Sequence, residues 1–407
     1  MQNVDEVFSA LAEEQLEACL QRPAEQAVIL LRKSFSPEVA RTLAGFVDSL
    51  QRYRKKLPEW YVARCRMPRA LAEQATGSRA AGVADYPTGV HAWDLTAGLG
   101  SDTLALARRF ERVSAVEADP LNASLLPRNL ARLKCKNVEV YQQGAEAFLQ
   151  TALRAGFPEP DFIFLDPARR TDARTGMLLP EQLSPALPEL LPLLDRFSSA
   201  TFEVKLSPRL DAGRLPQYFG ERPLQIRYIG VGSEVKSLRV RWGANISEPL
   251  TIKVLLDLPP RKSYTFKPQD STLPAAGLSA LQQARFVADP HPAFIAAGVN
   301  AQLANAMGLI FNHQHGVLWA GVPPEAFPGQ LYRICYGPEI FNPRSLKRWL
   351  RQERIGKIWV LKRGAPLSPG HTLKKLAVRQ GGAFFLLLTP GETGQTLAAV
   401  LEKLPVE

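Results

Sequence analysis

The chain has 407 residues, 46% apolar and 22% charged, enough for several packed domains and too much for one small binding module. Fifty Lys and Arg against 39 Asp and Glu leave a formal charge of +11, compatible with nucleic acid or another polyanion as partner. Four scattered cysteines without a CxxC pair argue against a disulfide framework, a zinc finger or an iron–sulfur site; with no apolar run of membrane-spanning length and an acidic start, MQNVDEVFSALAEEQLEACL, the expectation is a cytoplasmic protein.

Residues 1–85 read as helices. Val7, Leu11, Leu16 and Leu20, then Val28, Leu31 and Phe35, recur at helical spacing, and Ser36 before Pro37 suits an N-cap. Arg52, Arg54, Lys55 and Lys56 beside Tyr53, Trp60 and Tyr61 form either a solvated helix end or an RNA-facing patch, since aromatic faces stack on bases while cations meet phosphates. From 86 to 258 short apolar runs alternate with helical stretches: HAWDL (91–95), VSAVEA (113–118), NVEVYQ (137–142), DFIFLD (161–166) and ATFEVKL (200–206). Strand alternating with helix predicts βαβ units, a mostly parallel sheet and helices on both faces. IRYIGVGSE and VKSLRVRW (226–242) then predict a closing antiparallel hairpin, and the Pro-, Lys- and Ser-rich stretch 259–275 a linker. Two smaller units follow, about 276–328 and 330–407. The second holds thirteen Lys and Arg against five Asp and Glu, so most of the excess charge sits in the last fifth of the chain. That concentration favours a polyanion-binding face.

Three islands carry the chemistry. Asp94-Leu95-Thr96-Ala97-Gly98-Leu99-Gly100-Ser101-Asp102 puts an acid at a strand end and two glycines in the following turn, where backbone must approach a nucleotide-type ligand closely. It is no dinucleotide fingerprint, because Thr103 stands where the third glycine belongs. Glu117 ends the next strand nineteen residues after Gly98, the place of an acid that accepts from both hydroxyls of a ribose. Asp166-Pro167 ends the DFIFLD strand, with proline fixing the chain behind the carboxylate. Arg169 and Arg170 follow, suited either to a substrate phosphate or to acids at the sheet edge.

In order, DLTAGLGSD, VEADP and DFIFLDPARR resemble motifs I, II and IV of class I S-adenosylmethionine (AdoMet)-dependent methyltransferases. More narrowly, the chain resembles bacterial methyltransferases with a C-terminal THUMP-like domain, the stretch KRGAPLSP (362–369) being similar to that domain. The resemblance implies an α/β fold: a Rossmann-like class I methyltransferase sheet (86–258), an N-terminal helical region (1–85) and small α+β C-terminal domains. Those would be a ferredoxin-like unit (276–328) and a basic THUMP-like domain (330–407). It implies AdoMet as cofactor, with Asp94, Thr96, Ala97, Gly98, Gly100 and, less centrally, Asp102 around its amino-acid end and Glu117 on its ribose. Gln74, in the stretch Glu73–Thr76 before motif I, would lie over the methionine end. Gly144 stands where such enzymes often carry an adenine-binding Asp, leaving Ala145 or Glu146 to supply that contact. Asp166, Pro167 and Arg169 would be catalytic, the Asp166 carboxylate and Pro167 carbonyl suited to orienting an exocyclic amine. Ala168 and Arg169 stand where an aromatic residue usually stacks on the base.

The similar motif of RNA uridine C5-methyltransferases needs a cysteine nucleophile after the next strand. Here that strand reads TFEVKLSP, with Lys205, Ser207 and Pro208 and no cysteine. His313 and His315 have no partner close in sequence for a metal site, and Ser207 lacks a nucleophile elbow. The expected activity is methylation of a base in structured RNA, tRNA or rRNA, with no membrane or metal involved. The rivals are a catalytically inactive RNA-binding protein and a methyltransferase for a small molecule or a protein.

Overall fold

The computed structural model describes residues 13–169, 180–210, 212–258, 260–268, 270 and 274–405. They divide into two compact units. The first runs through Val231 and includes Lys236–Pro249 and Leu255–Lys262; the second takes Ser263 onward with Gly232–Val235 and Leu250–Val254.

The first unit opens with helices α1 (Glu13–Leu20), α2 (Ala24–Leu31), α3 (Pro37–Tyr53), α4 (Pro58–Val62), α5 (Arg69–Gln74) and α6 (Ser78–Val83). Ser36 does cap α3, its Oγ accepting from Val39 N at 3.4 Å with Pro37 in the first turn. The helices bury Leu16, Leu31, Leu43, Val47, Leu50 and Trp60 in one core that also takes in Leu99 from within the glycine turn and Leu104 from just after it. Each such side chain contributes about 1.5–3 kcal/mol by leaving water. Of the two readings open for 52–61, a solvated helix end or an RNA-facing patch, the second loses Trp60 as a stacking face, while Tyr53 and Tyr61 stay half-buried. Trp60 is 1% exposed, and Lys56 turns inward to donate to the carbonyl oxygens of Ala72 at 3.0 Å and Glu73 at 2.6 Å, while Arg52, Arg54 and Lys55 stay exposed.

The sheet follows, with strands β1 (Gly89–Asp94), β2 (Phe110–Glu117), β3 (Val138–Gln142), β4 (Phe162–Leu165), β5 (Thr201–Leu206), β6 (Leu224–Val231) and β7 (Glu234–Gly243). Their order is β6-β7-β5-β4-β1-β2-β3. The pairs β1–β2, β2–β3, β1–β4 and β4–β5 are parallel, and β7 lies antiparallel to β5. Between the strands run α7 (Ser101–Ala107), α8 (Pro120–Arg132), α9 (Ala145–Ala155) and α10 (Leu187–Leu194). Alternation along β1 splits its side chains between the two faces. Trp93 packs edge-on against Phe148 of α9 and Phe197, at 5.0 and 5.1 Å between ring centres, while Ala92 joins Tyr86, Leu106, Phe162 and Phe164. Every predicted strand of the region is found, and so is the closing hairpin. The stretch 259–275 is not linker throughout: within it Lys262–Phe266 (β9) is a strand, next in the sheet order to Leu250–Asp257 (β8).

The second unit is built on strands β10 (Phe286–Pro290), β11 (Ile310–Phe311), β12 (Leu318–Ala320), β13 (Gly329–Ile340), β14 (Trp359–Lys362), β15 (Phe384–Pro390) and β16 (Thr396–Lys403). They form one sheet in the order β11-β12-β10-β13-β16-β15-β14. The expected division into 276–328 and 330–407 is therefore not a division of the structure. Strand β13 pairs on one side with β10, Phe286 opposite Arg333, and on the other with β16, Ile340 opposite Leu397, so hydrogen bonds run continuously across the proposed boundary. Helices α11 (Pro343–Gln352) and α12 (Pro369–Leu376) pack on the sheet through Leu346, Leu350 and Leu376, against Leu386 and Leu388.

Candidate active site

Parallel pairing fixes where the three islands meet. Asp94 is level with Ala115 of β2 and with Phe164 of β4, so Glu117 and Asp166 each stand two residues further, at the same carboxyl edge. The glycine turn ties them together. Gly98 N donates to Glu117 Oε2 at 2.7 Å, and Asp166 N donates to Thr96 Oγ1 at 2.6 Å. Both glycines lie in the left-handed region, Gly98 at φ +53° and Gly100 at φ +91°, and a Cβ on Gly100 would stand 2.5 Å from Leu126 Cδ1. Glycine is thus required to turn the chain under the strand ends. Asp119 N donates to Glu117 Oε1 at 2.8 Å while Asp119 caps α8, so the strand end is held on both oxygens.

Asp94 is 1% exposed, with both carboxylate oxygens engaged by Thr96 N at 3.2 Å and Thr103 Oγ1 at 2.6 Å. It braces the turn from beneath. Burial pushes its carboxyl up to about 7, and the charges of Asp102 and Asp166 add to that push against the Thr103 hydrogen bond.

The surrounding polar groups form a network that the sequence does not announce. Asp166 pairs with the Lys205 ammonium, and Lys205 Nζ also donates to Thr76 Oγ1 at 2.8 Å. Thr76 and Tyr86 each donate to Asp102, which also pairs with Arg239 at 3.1 Å. Arg239 reaches on to Glu203 at 2.9 Å, and Arg227 and Arg241 close on the same carboxylate at 2.6 Å. Register produces this arrangement. Leu165 is opposite Val204 and Lys205 opposite Arg239, so Arg239, in the middle of the antiparallel β7, lies level with Lys205 near the end of β5, beside Asp166 just past β4. The two acids nearest Lys205 part company. For Asp102 burial is outweighed by Lys205 and Arg239, which hold it below the usual carboxylate range; for Asp166 burial and the neighbouring Asp102 charge dominate over Lys205 and raise it.

Asp94, Thr96, Ala97, Gly98, Gly100, Asp102, Glu117 and Asp166 thus belong to one edge, with Pro167 next along the chain. Gln74 is exposed at the end of α5; two residues on, Thr76 enters the network instead. Ala145 is buried at the start of α9, and the exposed Glu146 accepts from Gln150 at 3.1 Å within its own helix. Arg169 lies on a short strand (Ala168–Arg169) paired with Leu183–Ser184; its side chain and Arg170 lie outside the described residues. Thr76, Tyr86, Lys205 and Arg239 were not assigned to the site from sequence. A lysine one residue short of a strand end, beside an Asp-Pro strand, is the only local hint. A hollow of about 390 Å³ lined by His91, Arg112, Ser114, Glu139 and Tyr141 involves none of the predicted residues. Among the described residues no group of three potential metal ligands occurs, and no helix is long and apolar enough to cross a membrane.

A cofactor fit can be judged on the turn itself. Ser101 Oγ, just past Gly100, is buried without a hydrogen-bond partner among the described residues. Glu117 keeps lone pairs beyond its two backbone donors. The donor and acceptor set suits an amino-acid-bearing nucleoside.

The family model described as THUMP domain-like matches residues 340–403, and one described as conserved hypothetical protein 95 matches residues 82–178. No curated protein sequence matches the chain. A candidate methyltransferase from Porphyromonas gingivalis W83 superimposes with TM-score 0.82 at 22% identity, over 98% of this chain and 99% of that one. The precorrin-6y C5,15-methyltransferase of Geobacter metallireducens GS-15 covers 40% of this chain and 86% of its own, at 15% identity and TM-score 0.28. An rRNA methylase of Streptococcus thermophilus likewise covers 40% and 91%, at 15% and 0.28. Likenesses that low carry no argument. The chain has a class I-type methyltransferase fold with an N-terminal helical region and a C-terminal THUMP-like domain.

Proposed function

We propose that the chain is an AdoMet-dependent methyltransferase acting on structured RNA, tRNA or rRNA. The observation that carries the reading is the pair of hydrogen bonds by which one glycine turn reaches Glu117 on one side and Asp166 on the other. Glu117 would take the ribose hydroxyls, and the turn from Thr96 to Gly100 the amino-acid end. The cationic amino group of that end would offset the cost of Asp94's buried charge. With Glu146 engaged by Gln150, the adenine contact would fall to backbone at Ala145. When bound, AdoMet supplies an electrophilic methyl on a cationic sulfur. The chain's part is to align an acceptor with it, which can account for much of the acceleration. RNA as substrate is supported by the second unit, where Arg344, Arg348, Arg351, Lys374, Lys375 and Arg379 are all exposed.

Calorimetry tests the cofactor assignment. Wild type is expected to bind AdoMet with a Kd between about 1 μM and 1 mM, and Glu117→Ala to bind at least about tenfold more weakly, as loss of a charged hydrogen-bonding partner predicts. Absence of binding by the wild type at millimolar AdoMet would turn the reading to an RNA-binding protein without catalysis.

A further inference from the structure

We propose that the atom methylated is a hydroxyl oxygen, the ribose 2′-hydroxyl of the RNA, and not a base nitrogen. The proposal rests on the reading above and goes beyond it in naming the acceptor.

The argument is one of charge. A neutral amine gains positive charge as its nitrogen bonds to carbon, so a site for it should present uncompensated negative charge. Here Asp166 is neutralised by Lys205, and the next acid, Asp102, by Arg239. The pair reaches the surface of the edge, Asp166 being 31% and Lys205 14% exposed in their side chains. Lys56 also lies close by. Burial is the larger cause that lowers Lys56, to about 8; the like charges of Lys205 and Lys236 add to it, and the Glu73 carboxylate opposes it. With its acids compensated, the edge offers little to a forming cation, while the Lys205 ammonium favours an oxygen that is losing its proton. Nothing aromatic follows Pro167 to stack on a base, since Ala168 and Arg169 stand there.

The roles then divide. The hydroxyl proton passes to Asp166, whose raised affinity for it suits the task. The oxygen's electron pair forms the new bond to the methyl carbon, and the sulfur keeps the pair of the broken carbon–sulfur bond. The Lys205 ammonium, paired with Asp166, stabilises the developing negative charge. Among the described residues no donor is recorded on Asp166 Oδ1, which leaves that oxygen to accept.

Two measurements test this. Wild type incubated with methyl-deuterated AdoMet and total bacterial RNA should give nucleosides whose label leaves with the sugar on fragmentation; label retained on the base overturns the proposal and spares the methyltransferase reading. The second measurement involves no turnover. Sinefungin carries a protonated amine in place of the methylsulfonium, and its affinity relative to S-adenosylhomocysteine reports the charge facing the transferred group. Lys205→Met should raise that ratio roughly tenfold, as removal of a like charge a few ångströms away predicts, while Lys205→Arg should leave it near the wild-type value. An unchanged ratio in a folded Lys205→Met overturns the role of Lys205. Failure of the wild type to bind either nucleoside removes the methyltransferase reading itself, and the proposal with it.

Discussion

Asp94 illustrates how a single buried carboxyl links stability to binding. Its folded-state pKa of about 7 lies above the ordinary 3.8, because burial disfavours the charge. The folded protein therefore holds a proton that the unfolded chain releases, and stability declines as pH rises from about 4 to about 7. Asp94→Asn should remove that decline. Thermal unfolding should show a Tm higher than wild type by a few degrees at about pH 8, with little difference at about pH 4. The same substitution should weaken AdoMet binding, because the amide offers no charge to the cofactor's amino group. A variant that gains no stability at high pH would show that Asp94 is not ionised at a cost. Residues at strand ends, such as Asp94, Glu117 and Asp166, were legible because each follows an apolar run. Thr76, Tyr86 and Arg239 were not, because their partners are set by pairing between strands far apart in sequence.

Among the elements, the β5–β7 pair supplies the floor of the site. Glu203 is fully buried and faces Arg227 of β6 with Arg239 and Arg241 of β7. Burial alone would raise its carboxyl, but the three guanidiniums outweigh it and hold it at about 2. Glu203→Gln would leave them facing one another in low dielectric. Loss of about 3–5 kcal/mol is expected, the cost of breaking a buried pair, and chemical denaturation would read it directly. The sign with pH follows from a depressed value. The stabilisation is present above about 4.5 and lost as pH falls toward about 2, so acid should narrow the gap between wild type and Glu203→Gln. Strands here were legible from alternation, and β5 was read nearly to the residue. That β5 should carry a glutamate beneath three arginines was not, since a charged residue in a strand pattern ordinarily signals solvent.

At the scale of the molecule, the sequence divided the C-terminal region where the chain turns from Pro328 into β13, whereas the structure continues one sheet through that point. A twelve-residue strand shared by two sets of partners has no local signature, because pairing is decided across the sheet. The charge gradient was legible and has a clear structural form. Helix α12 carries Lys374 and Lys375 in its last turn, and Arg379 follows, all exposed. Each phosphate neutralised by such a side chain releases condensed counterion, so the logarithm of affinity falls with the logarithm of salt by about 0.7–0.9 per contact. Binding of the 407-residue chain to total tRNA, followed between about 50 and 200 mM salt, should therefore weaken steeply. Lys374→Gln with Lys375→Gln should reduce the slope by roughly 1.4–1.8 and leave AdoMet affinity unchanged, since the glycine turn belongs to the other unit. A wild-type slope near zero would remove phosphate docking and favour a small-molecule or protein substrate. An unchanged slope in the double variant would place the docking cations elsewhere on the chain.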